Sequence, residues 1–286
     1  MNKQFRCVTA RGAAAMLLLA ASCTRTGNTI VTAGPENGNP GKSMVTGSTF
    51  FSVGDTLLNA TYEDGTTNSG ITGLTATDAP AADAAYMVSP GAGGTYAVAH
   101  KVVFGDSAYM SDGAYRSETT ARLVTAANFV PGQERRYEFS VLLKDWPDWN
   151  GMNPVDGGNL FQCRVSGDYY VPVMIRVRRN GIIIREADAQ TFAVVSDYRP
   201  YVNQWIHFRI DVLWTTDSTG YIKVYTQLPG ETGYTLRRER TNLRTYTGTG
   251  TSGGGAFGYP KWGLYGGPDT GTRIAYHDNV RIIALN

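Results

Sequence analysis

The segment Ile206-His207-Phe208-Arg209-Ile210-Asp211-Val212-Leu213-Trp214 sets the strongest constraint on the fold of this chain. Ile206, Phe208, Ile210, Val212 and Trp214 fall on one side and His207, Arg209 and Asp211 on the other, the period of a half-buried β-strand. Tyr137–Val141, Val173–Val177 and Tyr221–Tyr225 repeat the pattern. Turn signals stand between such runs, at Asn180-Gly181, at 217–220 and at Pro229-Gly230. No stretch holds a helical period with caps, and Pro80 interrupts the Ala-rich run 76–85. Many short strands with regular turns imply an all-β sandwich or barrel. Composition agrees: 34 glycines, where average usage gives roughly 20, supply turns, and 17% charged residues suit sheets more than long helices. The 32 aromatic residues (17 Tyr, 10 Phe, 5 Trp) exclude a disordered chain.

Residues 1–22 read as a targeting segment. Lys3, Arg6 and Arg11 form a basic region, and Ala13–Ala21 is apolar but too short to span a bilayer as a stable helix. Its end, Leu19-Ala20-Ala21-Ser22-Cys23, resembles the bacterial lipobox, which implies a lipidated Cys23 as mature N-terminus. The expectation is an exported, signal-peptide-bearing lipoprotein, periplasmic or at the cell surface. Residues 23–48, rich in Gly, Asn, Thr and Pro, read as a flexible tether. One β domain is expected over 49–286. The formal charge of +2 changes once the segment is removed: 26 − 3 leaves 23 basic against 24 acidic residues, or −1. That balance gives no support to nucleic-acid binding. Of three cysteines, Cys7 leaves with the segment and Cys23 takes the lipid. Cys163 remains as a buried free thiol.

Two motifs invite enzymatic readings and fall short. Phe104-Gly105-Asp106-Ser107 looks like a serine-esterase start, but that chemistry needs helices and a late Asp-x-x-His. Ile274 stands three residues before His277. Glu186-Ala187-Asp188 looks like the catalytic strand of jelly-roll glucanases, yet Thr191 occupies the position of the second catalytic carboxylate.

A series of short segments, read in order, resembles one family. They are Tyr62-Glu63-Asp64-Gly65, Tyr115-Arg116-Ser117-Glu118, Asn159-Leu160-Phe161-Gln162-Cys163-Arg164, Asn203-Gln204-Trp205, Tyr259-Pro260-Lys261-Trp262-Gly263-Leu264-Tyr265, and Tyr276-His277-Asp278-Asn279. The series is similar to jelly-roll polysaccharide lyases, the heparin lyase I-like and glucuronan lyase group, with alginate lyases more distant. The resemblance implies a single β-jelly-roll, a concanavalin A-like sandwich with a concave groove. It also implies β-elimination on an anionic, uronic-acid-containing polysaccharide.

That chemistry removes a proton beside a carboxylate and expels the C4 oxygen, so donors must stabilise an enolate-like carboxylate and other groups must move protons. By the resemblance, Tyr265 is the acid and also the base, and Gln162 and Arg116 neutralise the uronate. A free Tyr titrates near 10, so nearby cations are needed, and Lys261 and Arg164 are the candidates. Arg164 stands where many of these lyases carry a histidine base, and neither His100 nor His277 sits on a matching motif. Glu118, Tyr115, Tyr169 and Trp146 are expected to touch substrate. Gly263 is expected to make room for a sugar. The chemistry itself calls for no cofactor. Glu63 and Asp278 are candidate ligands for a structural Ca²⁺, as in related jelly rolls. The expected partner is the polysaccharide and the expected state a monomer. A non-catalytic carbohydrate-binding jelly roll and a glycoside hydrolase are the alternatives. The first would bind without product and the second would release reducing ends.

Overall fold

A period of two becomes a strand wherever a second sheet can cover its apolar side. The computed structural model of the protein describes residues 51–151, 156–167, 171–247, 255–266 and 271–286, which belong to one compact unit, Thr49–Asn286. Its strands in chain order are β1 (Thr56–Ala60), β2 (Ala85–Val88), β3 (Ala97–Val103), β4 (Met110–Ser111), β5 (Ala114–Thr120), β6 (Glu134–Lys144), β7 (Asp156–Val165), β8 (Val173–Arg178), β9 (Gly181–Arg185), β10 (Thr191–Val195), β11 (Trp205–Leu213), β12 (Gly220–Gln227), β13 (Thr235–Leu243), β14 (Gly258–Tyr265) and β15 (Thr272–Ala284). Helix among the described residues is limited to three short 3₁₀ turns.

The strands form two antiparallel sheets. The first runs β13-β12-β11-β6-β15-β3-β2, with β1 paired to β15, and the second runs β10-β9-β8-β7-β14-β5-β4. The chain crosses repeatedly between them, so neighbours in a sheet are mostly distant in sequence, as in a β-sandwich. The expected strand 206–214 supplies β11, and its five apolar residues are all buried between the sheets. Phe139 of the first sheet stacks between Phe208 and Phe161, with ring centroids 5.1 and 4.6 Å apart, and Phe161 belongs to the second sheet. Truncating such a ring to Ala typically costs about 3–5 kcal/mol. The indole N–H of Trp262 donates to the Tyr62 hydroxyl at 2.8 Å, and that of Trp214 to the Tyr137 hydroxyl at 3.0 Å. Both buried indoles are thereby satisfied. Cys163 is a free thiol with no exposure, and burial pushes its pKa well up.

Candidate active site

The site is assembled by three neighbouring strands of the second sheet, β7, β14 and β5. Their register sets Tyr265 opposite Arg116, Gly263 opposite Glu118, and Lys261 between Thr120 and Gln162. Residues two apart share a face, so Trp262 and Leu264 enter the core while their neighbours Lys261 and Tyr265 take the other side. Arg116, Gln162, Arg164 and Tyr265 line one cavity of about 460 Å³, together with Asp112 and Val171.

Within it the Arg116 guanidinium lies 4.2 Å from the Tyr265 ring centroid, a cation–π contact that fixes the phenol's orientation. Arg116 Nη1 donates to Asp112 at 2.9 Å, while its Nε is buried without a hydrogen-bond acceptor. Asn159, opposite Tyr265 on β7, has a buried side-chain oxygen that is likewise unpaired. An unmet buried polar atom costs on the order of 1–3 kcal/mol, and such groups collect where a ligand or water completes them.

Other expected residues are placed differently. Glu118 is buried under the cavity, where its Oε1 accepts from Gln162 Nε2 at 2.6 Å and its Oε2 lies 2.8 Å from Lys261 Nζ. Both carboxylate oxygens are engaged from within, so Glu118 holds its neighbours and does not face substrate. Lys261 is 6% exposed and held down by Glu118, absent from the cavity wall for the same reason. Tyr115 alternates out of register with Arg116 and packs on Phe104 at a centroid distance of 5.3 Å. Trp146 is 5% exposed, donates its N–H to the Ile274 carbonyl at 2.7 Å and meets Tyr198 edge-on. Its ring is packed into the sandwich and offers no face to a sugar. Tyr169 lies outside the described residues.

Gly263 also has a different use from the one expected. Its φ is +137°, and a Cβ there would stand 2.3 Å from the Ser117 carbonyl oxygen and 3.1 Å from the His100 ring. The glycine permits close approach of β5 and the buried His100, beneath the site.

The chain has three histidines, and none lines the cavity. His100 and His277 are fully buried, their rings 5.4 Å apart and edge-on. His100 Nδ1 meets the Ser117 hydroxyl at 3.1 Å, and His277 Nε2 donates to the Leu160 carbonyl at 2.9 Å. Burial drives the His277 pKa down to about 3 and that of His100 well below its usual value, so both rings are neutral. His207 lies on the far face of the first sheet, bonded to Ser140.

Glu63 and Asp278 converge on the loop at 91–96. Glu63 accepts the N–H groups of Thr95 and Tyr96 at 3.0–3.2 Å, and these bonds hold its pKa below the usual range. Asp278 accepts from Ala92 and Asn279 at 2.7 Å each, while burial raises its pKa to about 6. Calcium takes six to eight oxygens. Two carboxylates that already receive backbone N–H donors are an incomplete cage. No group of three His, Cys, Asp or Glu side chains suited to a metal occurs among the described residues. By themselves the pair fit a loop clasp and do not fit the ion.

Two residues of the site were not anticipated. Asp112 sits with Gly113 in a two-residue hairpin turn between β4 and β5, both at positive φ. The Asp-Gly pair one residue short of Tyr115-Arg116 is a hairpin signal that would have aimed it at the site. Asn159 heads a motif already noticed, but nothing in its sequence context marks its oxygen as unpaired.

Known proteins share this fold. The structure is similar to that of an endo-β-1,4-glucuronan lyase from the fungus Trichoderma reesei, at 18% identity and TM-score 0.53 over 74% of this chain and 92% of that one. It is also similar to an alginate lyase from Aplysia kurodai, at 10% identity and TM-score 0.53 over 80% and 99%. The binding domain of Paraclostridial Mosquitocidal Protein 1 shares the fold at 12% identity and TM-score 0.52, over 81% of this chain and 49% of that one. These likenesses identify the sandwich as a jelly roll. No curated protein sequence matches the chain. A family model described as polysaccharide lyase matches residues 61–281, which include all three strands of the site, and the chain therefore belongs to the polysaccharide lyase family.

Proposed function

We propose that this lyase cleaves an anionic, uronate-containing polysaccharide by β-elimination, leaving an unsaturated uronate end. The observation that carries the reading is one cavity lined by Tyr265, Arg116, Gln162 and Arg164, with every histidine elsewhere. Tyr265, as phenolate, takes the C5 proton; the C–H electrons move toward the carboxylate and then expel the C4 oxygen. The phenol returns its proton to that oxygen, so the tyrosine is regenerated and the proton count closes. Arg116 and one N–H of Gln162 stabilise the charge building on the uronate carboxylate. Glu118 takes the other Gln162 N–H, which supports the amide nitrogen being the atom nearest the floor. Arg164, in place of a histidine, adds a cation to the cavity wall and suits a strongly anionic chain. No step uses a metal.

The test is incubation with glucuronan, alginate, heparin-type glycans and ulvan, following the ultraviolet absorbance of the new double bond. Absorbance growth with at least one of them, abolished by Tyr265→Phe, is the expected outcome. Full activity in Tyr265→Phe would sink the mechanism. The same reading makes the protein an exported monomer tethered through Cys23, a residue outside those described. Labelled fatty acid should enter the wild type and not Cys23→Ser.

A further inference from the structure

The first sheet carries a second pocket, on its face away from the core. It has a volume of about 280 Å³ and is lined by Asn59, Glu138, His207, Tyr234, Asn279 and Arg281, among others. A bulge in β15 marks its floor. Asp278 pairs with Ser140 and Arg281 with Glu138, so β15 places two residues where β6 places one. Asn279 within the bulge has φ 51°. Bulges bend a strand and re-aim its side chains, and they are over-represented beside functional sites.

The polar groups that line this pocket are of mixed type, and its two charged residues, Glu138 and Arg281, cancel. Glu138 Oε2 takes the Nε and Nη2 of Arg281, at 3.0 and 2.5 Å, leaving Oε1 toward the pocket. His207 Nδ1 is bonded to Ser140 Oγ at 2.8 Å, which leaves Nε2, and burial keeps the ring neutral by lowering its pKa. Asn279 donates to the Ala92 carbonyl at 2.7 Å and keeps its amide oxygen. The Asn59 amide and the Tyr234 hydroxyl have no hydrogen-bond partner among the described residues, and Tyr234 is 40% exposed. Arg136 and Arg209, which share the carboxylate of Asp211, stand outside the pocket wall.

A partly exposed tyrosine ring beside alternating donors and acceptors matches the apolar face and hydroxyl edge of a sugar ring. The volume is just below the roughly 300–1,000 Å³ of drug-sized sites, a fit for one ring. On the wall of this pocket the one cation, Arg281, is already neutralised by Glu138, whereas Arg116 and Arg164 both stand on the wall of the cavity of β5, β7 and β14. We propose that this pocket is a second, non-catalytic saccharide site that takes one uncharged glycosyl ring.

The experiment is affinity electrophoresis of the full chain in native gels containing glucomannan, arabinoxylan or mixed-linkage β-glucan, with glucuronan and alginate in parallel gels. At least one neutral polymer should retard wild type and Tyr265→Phe alike. Tyr234→Ala should reduce that retardation at least fivefold, with unchanged mobility in plain gel and unchanged lyase activity on soluble oligosaccharides. Glu138→Gln, which preserves shape, should weaken it too and serves if Tyr234→Ala fails to fold. The proposal is overturned if no neutral polymer of the three retards the protein. It is equally overturned if Tyr234→Ala and Glu138→Gln are both retarded like wild type, or if they lose only the anionic polymers. None of these outcomes depends on whether Tyr265 performs elimination.

Discussion

Glu118 and Glu186 are both carboxylates shut away from water, 3% and 0% exposed, and each is surrounded by cations. Glu186 follows β9 in the second sheet and accepts from Arg238 at 2.8 Å and Arg240 at 2.8 Å, both on β13 of the first sheet. Arg240 also makes two bonds to Asp188, at 2.9 and 2.6 Å, and Arg238 lies over the Phe192 ring at 3.3 Å. Two arginines meet two carboxylates, and the cluster is electrically closed: a clamp between the sheets. Around Glu118 the balance is different. Lys261 and Arg116 again meet two carboxylates, but only Glu118 is buried: Arg116 leans outward to Asp112, whose side chain is 77% exposed, and its Nε lies 3.6 Å from Glu118 without a hydrogen bond. The comparison separates two uses of a buried acid. A cluster closed by covered carboxylates fastens; one closed on its outer side by an exposed carboxylate, and so unbalanced at depth, leaves Arg116 within reach of an anion from solvent.

The largest expected effect tests whether the unbalanced cluster serves chemistry at all. Tyr265→Phe keeps the ring over Arg116 and removes one oxygen, so turnover should fall about 10³-fold with the melting temperature unchanged. Glu118→Gln should come next. Freeing Gln162 and Lys261 misplaces the carboxylate clamp, and kcat should fall on the order of 10²-fold. Glu186→Gln should do the reverse, lowering unfolding free energy by about 2 kcal/mol with kcat per folded molecule intact. That figure is below the usual range because its arginines remain about a quarter exposed. If urea titration and kinetics show the two glutamates behaving alike, the distinction is wrong.

Beneath the unbalanced cluster, the histidine pair gives an acid limit. The folded pKa of His277 is far below the free value near 6.5, so the unfolded chain binds the proton more readily. Stability is complete above about pH 6.5 and declines as pH falls toward 3. At pH 5 the expected loss from His277 is about 2 kcal/mol, and His100 adds in the same direction. Urea unfolding at pH 7 and pH 5 should show it, with a flatter dependence in His277→Asn. The smallest effect concerns Asp112. Its pair with Arg116 is exposed on the Asp side, worth about 1 kcal/mol or less. Asp112→Asn should therefore lower KM for the uronate polymer by up to about fivefold at low salt. An unchanged or raised KM would mean that Asp112 does not compete with substrate for Arg116.

Much of this architecture is legible in the sequence because alternation states which residues share a face. It gives β11, the core direction of Cys163 and the common face of Gln162 and Arg164. The same alternation counts against the substrate contact expected of Tyr115, which is one residue from Arg116 and points the other way. Depth is another matter. Glu118 shares Arg116's face yet lies beneath the cavity, because Lys261 on the adjacent β14 and Gln162 on β7 beyond it arrive from 143 and 44 residues away. A lysine stem reaches either a groove or a buried partner, and only the register decides which. Trp146 is an aromatic suited to stacking on a sugar, but nothing local reveals that the Ile274 carbonyl receives its N–H.

One consequence of β14 concerns how this protein can change over evolutionary time. Within eight residues the strand alternates between side chains fixed by the sandwich, Trp262 and Leu264, and side chains of the site, Lys261 and Tyr265. Tolerance to substitution should therefore alternate residue by residue. Lineages can retune the polymer at one set of positions without renegotiating the fold at the other. Gly263 is the exception: it lies on the site side, yet the backbone of β5 allows nothing larger there.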